Sequence, residues 1–327
     1  MSKRKFRKAY LAALFFLGFI FLFAPSCIVV TGGNSGWNPF LEEGEFERTF
    51  QVLTPAQLEI SNGSGNVRIL AGEETKIAIN ARVKVRSSNR NDARKYLDEI
   101  IADPPIEQSG NKVIISHPNR WSWRGRSYSI DYEIRVPSQT EIRSSTGSGD
   151  QFIDGVGEQV VLEAGSGDIE VSNIRKTLSV HTGSGDVKVR SVEGNVEITA
   201  GSGDPEIEDV AGSLRVNTGS GEVRAKGVTA QDVNILTGSG DISLEGELKE
   251  DSTWEVHASS GNVSLSLPSD CEFNINMKTS SGSLEIDFPL NIKGRISRKS
   301  IEGSVGTSNS HLICVTSSGD IRIISLK

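Results

Sequence analysis

The sequence has few of the residue types from which metal centres, disulfide frameworks and catalytic sites are built. Its 327 residues include three cysteines, two methionines and four histidines, and aromatic residues make up 6% of the chain. The histidines are scattered, at His117, His181, His257 and His311. A structural zinc site needs several neighbouring Cys or His ligands. The sequence therefore predicts neither a metal centre nor a bound cofactor.

The motifs of nucleophilic and phosphate-binding enzymes are also missing. No Gly-x-Ser-x-Gly elbow stands at a strand-to-helix turn, and the Gly-Ser-Gly loops of this chain precede predicted strands rather than helices. Without residues 1–26, the chain has 30 Lys and Arg against 42 Asp and Glu. This acidic balance argues against nucleic acid as a partner, and against attraction to an anionic membrane by net charge alone. No catalytic residue is predicted.

What the sequence does have is a repeated tetrapeptide, Gly-Ser-Gly-Asp. Its acidic residue recurs at spacings of 18, 18, 18, 18 and 19 residues, at Asp150, Asp168, Asp186, Asp204, Glu222 and Asp241. Looser copies stand at 260–262, 281–283 and 318–320, a degenerate one at Gly303-Ser304, and an early one at 63–66. A short fixed period is typical of a solenoid, in which each coil buries its apolar residues by stacking on its neighbours.

Each coil divides into two halves, and each half is a glycine-containing turn followed by a short strand. In residues 182–199 the apolar side chains alternate with polar ones, as in a strand with one buried face. The side chains predicted to face a narrow lumen are Val187, Val189, Val196 and Ile198.

Residues one coil apart should be neighbours about 4.8 Å apart in stacked strands. One outward position alternates in charge along the array, through Glu170, Lys188, Glu206, Arg224 and Ser243. Opposite charges across a ladder stabilise it by roughly 0.2–1 kcal/mol. A corner position is apolar throughout, at Val156, Ile174, Val192, Val210 and Val228. These columns predict an all-β fold, a parallel, in-register β-solenoid of the β-helix or β-roll kind with 18-residue coils.

The column of acidic residues breaks this alternation, because its like charges would stand in line. In one interpretation each carboxylate caps its own Gly-Ser-Gly turn by accepting backbone N–H bonds. In the other, the column Asp150, Asp168, Asp186, Asp204, Glu222 and Asp241 binds calcium, which prefers carboxylate and carbonyl oxygens. The coil length is similar to that of the repeats-in-toxin β-roll, but that motif places a residue between its last glycine and its aspartate. Gly185 directly precedes Asp186. We favour capping.

Residues 1–26 are predicted to be an export signal. Five basic residues precede fifteen almost wholly apolar ones at 9–23, too few for a membrane span. The Ser26-Cys27 junction resembles a bacterial lipoprotein signal, in which Cys27 would be lipidated. The alternative is an uncleaved transmembrane anchor over 9–30. Either form leaves the bulk of the chain exported, joined to the membrane by a tether over 27–49.

Residues 50–140 are predicted to form a β-rich cap with one helix, and the solenoid repeats come after it at 141–327. Strands are predicted at 57–60, 67–70 and 76–85, and a helix at 91–102. Residues 112–116 and 128–136 are predicted to form a hairpin. The motif at 63–66 is assigned to the first coil of the solenoid, with 71–140 as an excursion that covers its exposed edge.

The predicted hairpin tip at 117–126 is rich in tryptophan and arginine. Such residues are common at the centre of protein interfaces. The candidate partner-binding residues are Arg120, Trp121, Trp123, Arg124 and Arg126. The alternative is that the two tryptophans pack back onto the cap.

The chain combines a lipoprotein-like leader with tandem Gly-Ser-Gly-Asp coils that follow Arg135-Val136-Pro137. This combination resembles the bacterial "putative adhesin" family, a domain of unknown function. The resemblance covers about residues 50–327. It implies an envelope protein with a β-solenoid fold and supplies no catalytic residues.

These features predict a non-catalytic envelope lipoprotein that serves as a rigid scaffold or adhesion surface. Its expected partners are the membrane, through its lipid anchor, and an envelope protein or glycan. The alternatives are a glycan-active β-helix enzyme, which would need two carboxylates at one cleft, and a calcium-binding surface β-roll.

Overall fold

The computed structural model describes residues 40–116, 126–292 and 297–326, and within them the chain forms two long sheets and one α-helix. The elements in chain order are β1 (Phe40–Gln51), β2 (Ala56–Ser64), β3 (Val67–Ala71), β4 (Lys76–Ser87), α1 (Arg90–Ala102), β5 (Ile106–Ser109), β6 (Lys112–Ile115), β7 (Arg126–Val136), β8 (Thr140–Ser148), β9 (Gln151–Asp154), β10 (Val160–Ser166), β11 (Ile169–Ile174), β12 (Leu178–Ser184), β13 (Val187–Val192), β14 (Val196–Ser202), β15 (Pro205–Val210), β16 (Leu214–Ser220), β17 (Val223–Val228), β18 (Asp232–Ser239), β19 (Ile242–Gly246), β20 (Thr253–Ser260), β21 (Val263–Pro268), β22 (Phe273–Ser281), β23 (Leu284–Ile286), β24 (Asn291–Ile292), β25 (Ser300–Val305), β26 (His311–Ser318) and β27 (Ile321–Leu326).

The first sheet has the strand order β1-β4-β7-β3-β9-β11-β13-β15-β17-β19-β21-β27-β23. The second sheet has the order β24-β25-β22-β26-β20-β18-β16-β14-β12-β10-β8-β2-β6-β5. From β8 to β21 each coil contributes one strand to each sheet, and neighbouring coils pair in parallel. The predicted β-solenoid is therefore confirmed.

The register between coils matches the sequence period. Val187 pairs with Ile169 and Pro205, and Val196 pairs with Leu178 and Leu214, each 18 residues away. All four side chains predicted to face the lumen are almost fully buried, and so are all five residues of the apolar corner column. They belong to one continuous hydrophobic core that extends from the cap to the last coil.

The turns between the sheets leave no room for side chains at their second glycine. Gly185 has a φ of 136°, and a Cβ atom built on it would lie 2.1 Å from the carbonyl oxygen of Gly167 in the preceding coil. Glycine is required here both by this backbone conformation and by the close stacking of the coils.

The cap begins earlier in the chain than the sequence indicates. β1 starts at Phe40 and pairs antiparallel with β4, so the predicted tether at 27–49 is wrong for its last ten residues. β1 lies in the first sheet with a buried face (Glu42, Gly44 and Phe46) that α1 covers. Its acidic residues and its glycine hide the alternation of apolar and polar residues by which a strand is recognised in the sequence.

The predicted helix is confirmed as α1, over Arg90–Ala102, with Asn89 as its N-cap. The Oδ1 of Asn89 accepts a hydrogen bond from the Asn91 N–H at 2.9 Å. The helix buries Ala93, Tyr96, Leu97 and Ile100 against the cap sheet.

The predicted hairpin between residues 112–116 and 128–136 is wrong. β6 lies in the second sheet, parallel to β2 and antiparallel to β5, whereas β7 lies in the first sheet, antiparallel to β4 and parallel to β3. The first coil, β2 and β3, exposes an edge in each sheet, so the excursion supplies strands to both. Sequence alternation identifies a strand but not its partner.

The early motif at 63–66 does open the first coil, because Asn62 pairs with Thr146 and Val67 with Gln151. At the other end the coils are not stacked in chain order. The last coil, β26 and β27, lies between the coil of β20 and β21 and the coil of β22 and β23. The degenerate motif at Gly303-Ser304 is not a coil turn, since it lies in β25, antiparallel to β22.

Candidate functional site: the Gly-Ser-Gly-Asp edge

The repeated turns align along one corner of the solenoid, where the chain passes from the second sheet to the first. We call this corner the Gly-Ser-Gly-Asp edge. It consists of the turns at 63–66, 147–150, 165–168, 183–186, 201–204, 219–222, 238–241, 259–262, 280–283 and 317–320. The serine of each turn after the first is exposed, and the serines pair in register, so the edge presents one hydroxyl per coil.

The acidic side chains link neighbouring coils. The Oδ1 of Asp168 accepts a hydrogen bond from the backbone N–H of Asp186 at 2.9 Å, and the Oδ1 of Asp186 accepts one from Asp204 at 3.0 Å. The same bond joins Asp150 to Asp168 at 3.0 Å and Asp204 to Glu222 at 2.8 Å. The prediction that these carboxylates accept backbone N–H bonds is thus supported, but the N–H groups belong to the next coil and not to the residue's own turn.

We call this series of hydrogen bonds between coils the ladder. Asparagine can take the place of aspartate in it. Asn66 accepts from the N–H of Asp150 at 3.0 Å, and Asn262 accepts from the N–H of Asp320 at 2.9 Å. The bond therefore depends on the side-chain oxygen rather than on the negative charge. Glu222 differs, because its longer side chain turns to Arg224 of the strand that follows, β17.

Both ends of the ladder show the effect of these hydrogen bonds on the carboxyl groups. In the last coil, the N–H of Ser283 donates to Asp320 Oδ1 at 2.7 Å and holds the pKa of Asp320 below its usual value. In the cap, burial by itself would raise the pKa of Asp131. Hydrogen bonds from Lys84 Nζ at 2.8 Å and from the N–H of Asn66 at 3.0 Å outweigh burial, and the pKa is lowered.

The calcium interpretation requires oxygen ligands that converge on one point. Within residues 40–116, 126–292 and 297–326, no group of three or more His, Cys, Asp or Glu side chains is placed to hold a metal ion. One oxygen of each bonded aspartate is already engaged by a backbone N–H. Calcium binding by the acidic column stays a hypothesis that melting with and without a chelator can test.

The outward faces of the first sheet carry paired charges. Arg190 bridges Glu170 on one neighbouring coil and Glu208 on the other, at 2.9 and 3.1 Å. Lys188 Nζ lies 3.8 Å from Glu206. The alternating column predicted from the sequence is ion-paired between Lys188 and Glu206, and Arg190 links neighbouring coils beside it, so this face is charged but locally neutral.

A shallow, open groove crosses the outside of the second sheet. Its lining includes Ser145, Glu163, His181 and Thr199, which occupy one outward column on four successive coils. Glu163 is the one carboxylate in the lining of this groove. Glycoside hydrolysis uses a pair of carboxylates, one on each side of the scissile bond. The groove offers hydroxyl, carboxylate and imidazole groups to a polar ligand without that pair.

Several predicted site residues lie outside the described residues. These are Cys27 and, in the proposed partner-binding segment, Arg120, Trp121, Trp123 and Arg124; Arg126 is the first residue of β7. Because β6 and β7 belong to different sheets, they do not form the hairpin whose tip was predicted at 117–126. In the described part of the chain no helix has the length and hydropathy to cross a bilayer.

The two remaining cysteines are inside the solenoid. Cys271 and Cys314 are unpaired and buried, and burial raises the pKa of both thiols. Neutral, enclosed thiols are poor nucleophiles, so these side chains pack as small apolar groups.

The family profile that matches this sequence spans the cap and the coils together. Residues 56–324 match the family described as Toastrack DUF4097. The chain belongs to this family. The resemblance to an adhesin-like domain of unknown function is thereby confirmed, and the Toastrack match covers every turn of the Gly-Ser-Gly-Asp edge. No curated protein matches the sequence.

Solved structures are similar to this Toastrack chain over 86% of its length. One is described as a "putative lipid binding protein" from Parabacteroides distasonis, with 12% identity, 96% of that chain covered and a TM-score of 0.48. Another is a "putative adhesin" from Bacteroides fragilis, with 12% identity, 97% coverage and a TM-score of 0.44. A "putative cell adhesion protein" from Clostridium sporogenes has 13% identity, 100% coverage and a TM-score of 0.25. Similarity at this level says nothing about what this chain binds.

Proposed function

We propose that this Toastrack protein is a non-catalytic envelope lipoprotein whose solenoid is a rigid scaffold that presents an interaction surface to an envelope protein or glycan. The observation that carries the proposal is the ladder of side-chain bonds along the Gly-Ser-Gly-Asp edge. Each ladder bond adds a side-chain link to the two parallel strand pairings between neighbouring coils. The outward side chains are thus held in fixed columns, which suits a scaffold.

An enzyme would be built differently. Catalysis needs acid, base or nucleophile groups brought together at one point, usually with perturbed pKa values. Along the edge the acidic residues are instead spread over successive coils, and the aspartates accept backbone N–H bonds from the neighbouring coil. The glycan-active alternative predicts that Glu163→Gln in the groove abolishes a glycan-degrading activity. The scaffold proposal predicts that purified protein leaves envelope polysaccharides intact.

The anchor is tested at Cys27. Because Ser26-Cys27 follows a short apolar segment, wild-type protein expressed in bacteria should incorporate labelled fatty acid, and Cys27→Ala should not. The variant should also accumulate as unprocessed precursor on a gel. Cys271→Ala is the matched control, because that thiol is buried and should not affect labelling. An unlabelled wild type with unchanged processing would contradict the lipoprotein assignment.

The interaction surface is tested with the segment 117–126. A pull-down from envelope extract should recover a partner with the wild type and lose it when this segment is replaced by a Gly-Ser linker of equal length. If both forms recover the same partner, the interaction surface lies on the solenoid instead of this segment. Replacing Glu163 and His181 together then tests the groove on the second sheet.

A further inference from the structure

The cap has an exposed apolar tip at the start of β1. Phe40 is 50% exposed and Leu41 is 39% exposed. Leu41 is the register partner of Arg86 on β4, whose side chain is also exposed. Large apolar side chains exposed beside a cation suit a partner that offers both an apolar and an anionic layer. We call these three residues, with Arg90, the cap tip.

The tip projects beyond the solenoid. Val67, directly after the first turn of the Gly-Ser-Gly-Asp edge, pairs with Tyr132, so β7 continues for six residues past that level to Arg126. Arg126 pairs with Ser87, which in turn pairs with Phe40. Six strand residues span about 20 Å. The cap strands therefore overhang the edge, and the tip is their outer end.

The charges at the two ends of the cap differ. At the tip, Arg86 and Arg90 are exposed, buried Glu42 of β1 accepts from Arg90 Nε at 2.9 Å, and Asp92 in the first turn of α1 is half-buried. At the opposite end, the turn after β3 carries two exposed glutamates, of which Glu73 is paired with Lys76 Nζ at 2.8 Å and Glu74 accepts from the N–H of Ser138 at 3.2 Å. The tip thus places one exposed cation, Arg86, beside two exposed apolar side chains, although the whole domain is acidic.

The chain toward the predicted anchor leaves the cap at the cap tip. Twelve residues, 28–39, lie between Cys27 and Phe40. Fully extended, they reach at most about 45 Å. β1 then runs away from the tip for twelve residues, about 40 Å, so that Leu53, which is 73% exposed, lies near the far end.

We infer that the cap tip contacts the headgroup layer of the bilayer to which the protein is anchored. Phe40 and Leu41 enter the boundary between headgroups and acyl chains, and Arg86 binds lipid phosphate. The strands of the cap then stand steeply on the membrane, and the solenoid axis runs along it, with the Gly-Ser-Gly-Asp edge held above the surface. This inference rests on the proposed N-terminal anchoring.

The test uses the full-length, membrane-anchored chain with one added cysteine, Leu41→Cys or Leu53→Cys, labelled with an environment-sensitive fluorophore. The two sites are matched, since both are exposed leucines at opposite ends of β1. Cys271 and Cys314 are buried, so the chain without an added cysteine gives the background. The protein is reconstituted in phosphatidylethanolamine and phosphatidylglycerol vesicles, some with brominated acyl chains as quencher.

We expect several-fold stronger quenching at position 41 than at position 53. Arg86→Glu should reduce the quenching at 41, and so should replacement of phosphatidylglycerol by neutral phosphatidylcholine. Equal quenching at both sites, or quenching at 41 no stronger than background, overturns the inference. Mass spectrometry of Cys27 in the same sample tests the lipid separately. If Cys27 carries no lipid but the chain is held by residues 9–30, the lipoprotein proposal fails while the orientation is still measured.

Discussion

Replacing Asp186 by asparagine and by alanine separates the structural role of the acidic column from a metal-binding role. Asp186 is in the middle of the ladder. Its Oδ1 accepts from the N–H of Asp204, and its own N–H donates to Asp168. Alanine removes the acceptor and leaves the N–H of Asp204 to water. Asparagine keeps an oxygen in the same position, as Asn66 and Asn262 do elsewhere in the ladder.

The expected magnitudes come from this geometry. Asp186→Ala loses one hydrogen bond to an exposed carboxylate, about 1 kcal/mol of unfolding free energy. That corresponds to roughly 2 °C in Tm for a domain of this size. In Asp186→Asn the weaker amide acceptor is offset by relief of repulsion from the neighbouring aspartates, which is ~0.9 kcal/mol per pair at 4.8 Å in water before salt screening. The net change should be within about 0.5 kcal/mol of zero.

Thermal unfolding followed by circular dichroism measures both variants, in excess chelator and in millimolar calcium. We expect Asp186→Ala to melt below wild type, Asp186→Asn to match it, and all melting temperatures to be insensitive to calcium. If the column binds calcium, the wild type should melt several degrees higher with the ion, because a ligand of the folded state stabilises it by mass action. In that case both variants lose the increase. Equal destabilisation by asparagine and alanine would also refute the ladder.

Three further comparisons, measured by urea unfolding unless stated otherwise, test the stacking. Lys188→Glu replaces a cation 3.8 Å from a glutamate of the next coil and should lower the unfolding free energy by up to about 1 kcal/mol. Val189→Asp puts a charge in the lumen and should lower it by about 3 kcal/mol or more. Equal losses would mean that the inward and outward side chains are wrongly assigned. Gly185→Ala should cost over about 3 kcal/mol, because its Cβ would lie 2.1 Å from the carbonyl oxygen of Gly167. Gly110→Ala is the control: it has a positive φ but open space around it and should cost only about 1 kcal/mol. Similar costs would mean that neighbouring coils can move apart to accept the side chain. Because the folded-state pKa of Asp320 is lowered, its contribution to folding stability is complete above about pH 4 and is lost as the pH falls below that value. When Tm is measured against pH, Asp320→Asn should therefore flatten the acid part of the curve. A curve identical to that of the wild type would contradict this.

The sequence predicts the array well because many positions repeat the same information. A coil such as 182–199 has its apolar, charged and glycine positions at the same phase as its neighbours. An error at one position therefore hardly changes the predicted fold. The cap has no such redundancy. β1 has a glutamate and a glycine on its buried face, and Glu42 is buried because Arg90 and Arg94 neutralise it. A tertiary ion pair of this kind leaves no periodic signal in the sequence.

The direction of the hydrogen bonds at the edge cannot be predicted from one coil alone. An aspartate after Gly-Ser-Gly has N–H groups within reach in its own turn, and local capping is the simplest expectation. In the stack, the N–H of the same residue in the next coil is also close, and Oδ1 bonds there. The only sequence sign of this arrangement is that asparagine, which keeps the acceptor, replaces aspartate at residues 66 and 262.

The order of the last three coils could not be predicted from the period, because the period makes them interchangeable. Ser260, Ser318 and Ser281 pair in register, so any two of these coils could stack on each other through the same turn. The order is decided by β25, which comes after β22 and β23 in the chain. β25 pairs antiparallel with β22 and covers its outer edge, so β26 has to enter on the inner side. The same interchangeability that lets a solenoid grow by repetition therefore requires a distinct element to end it, and here that element is β25, with no Gly-Ser-Gly turn to continue the stack.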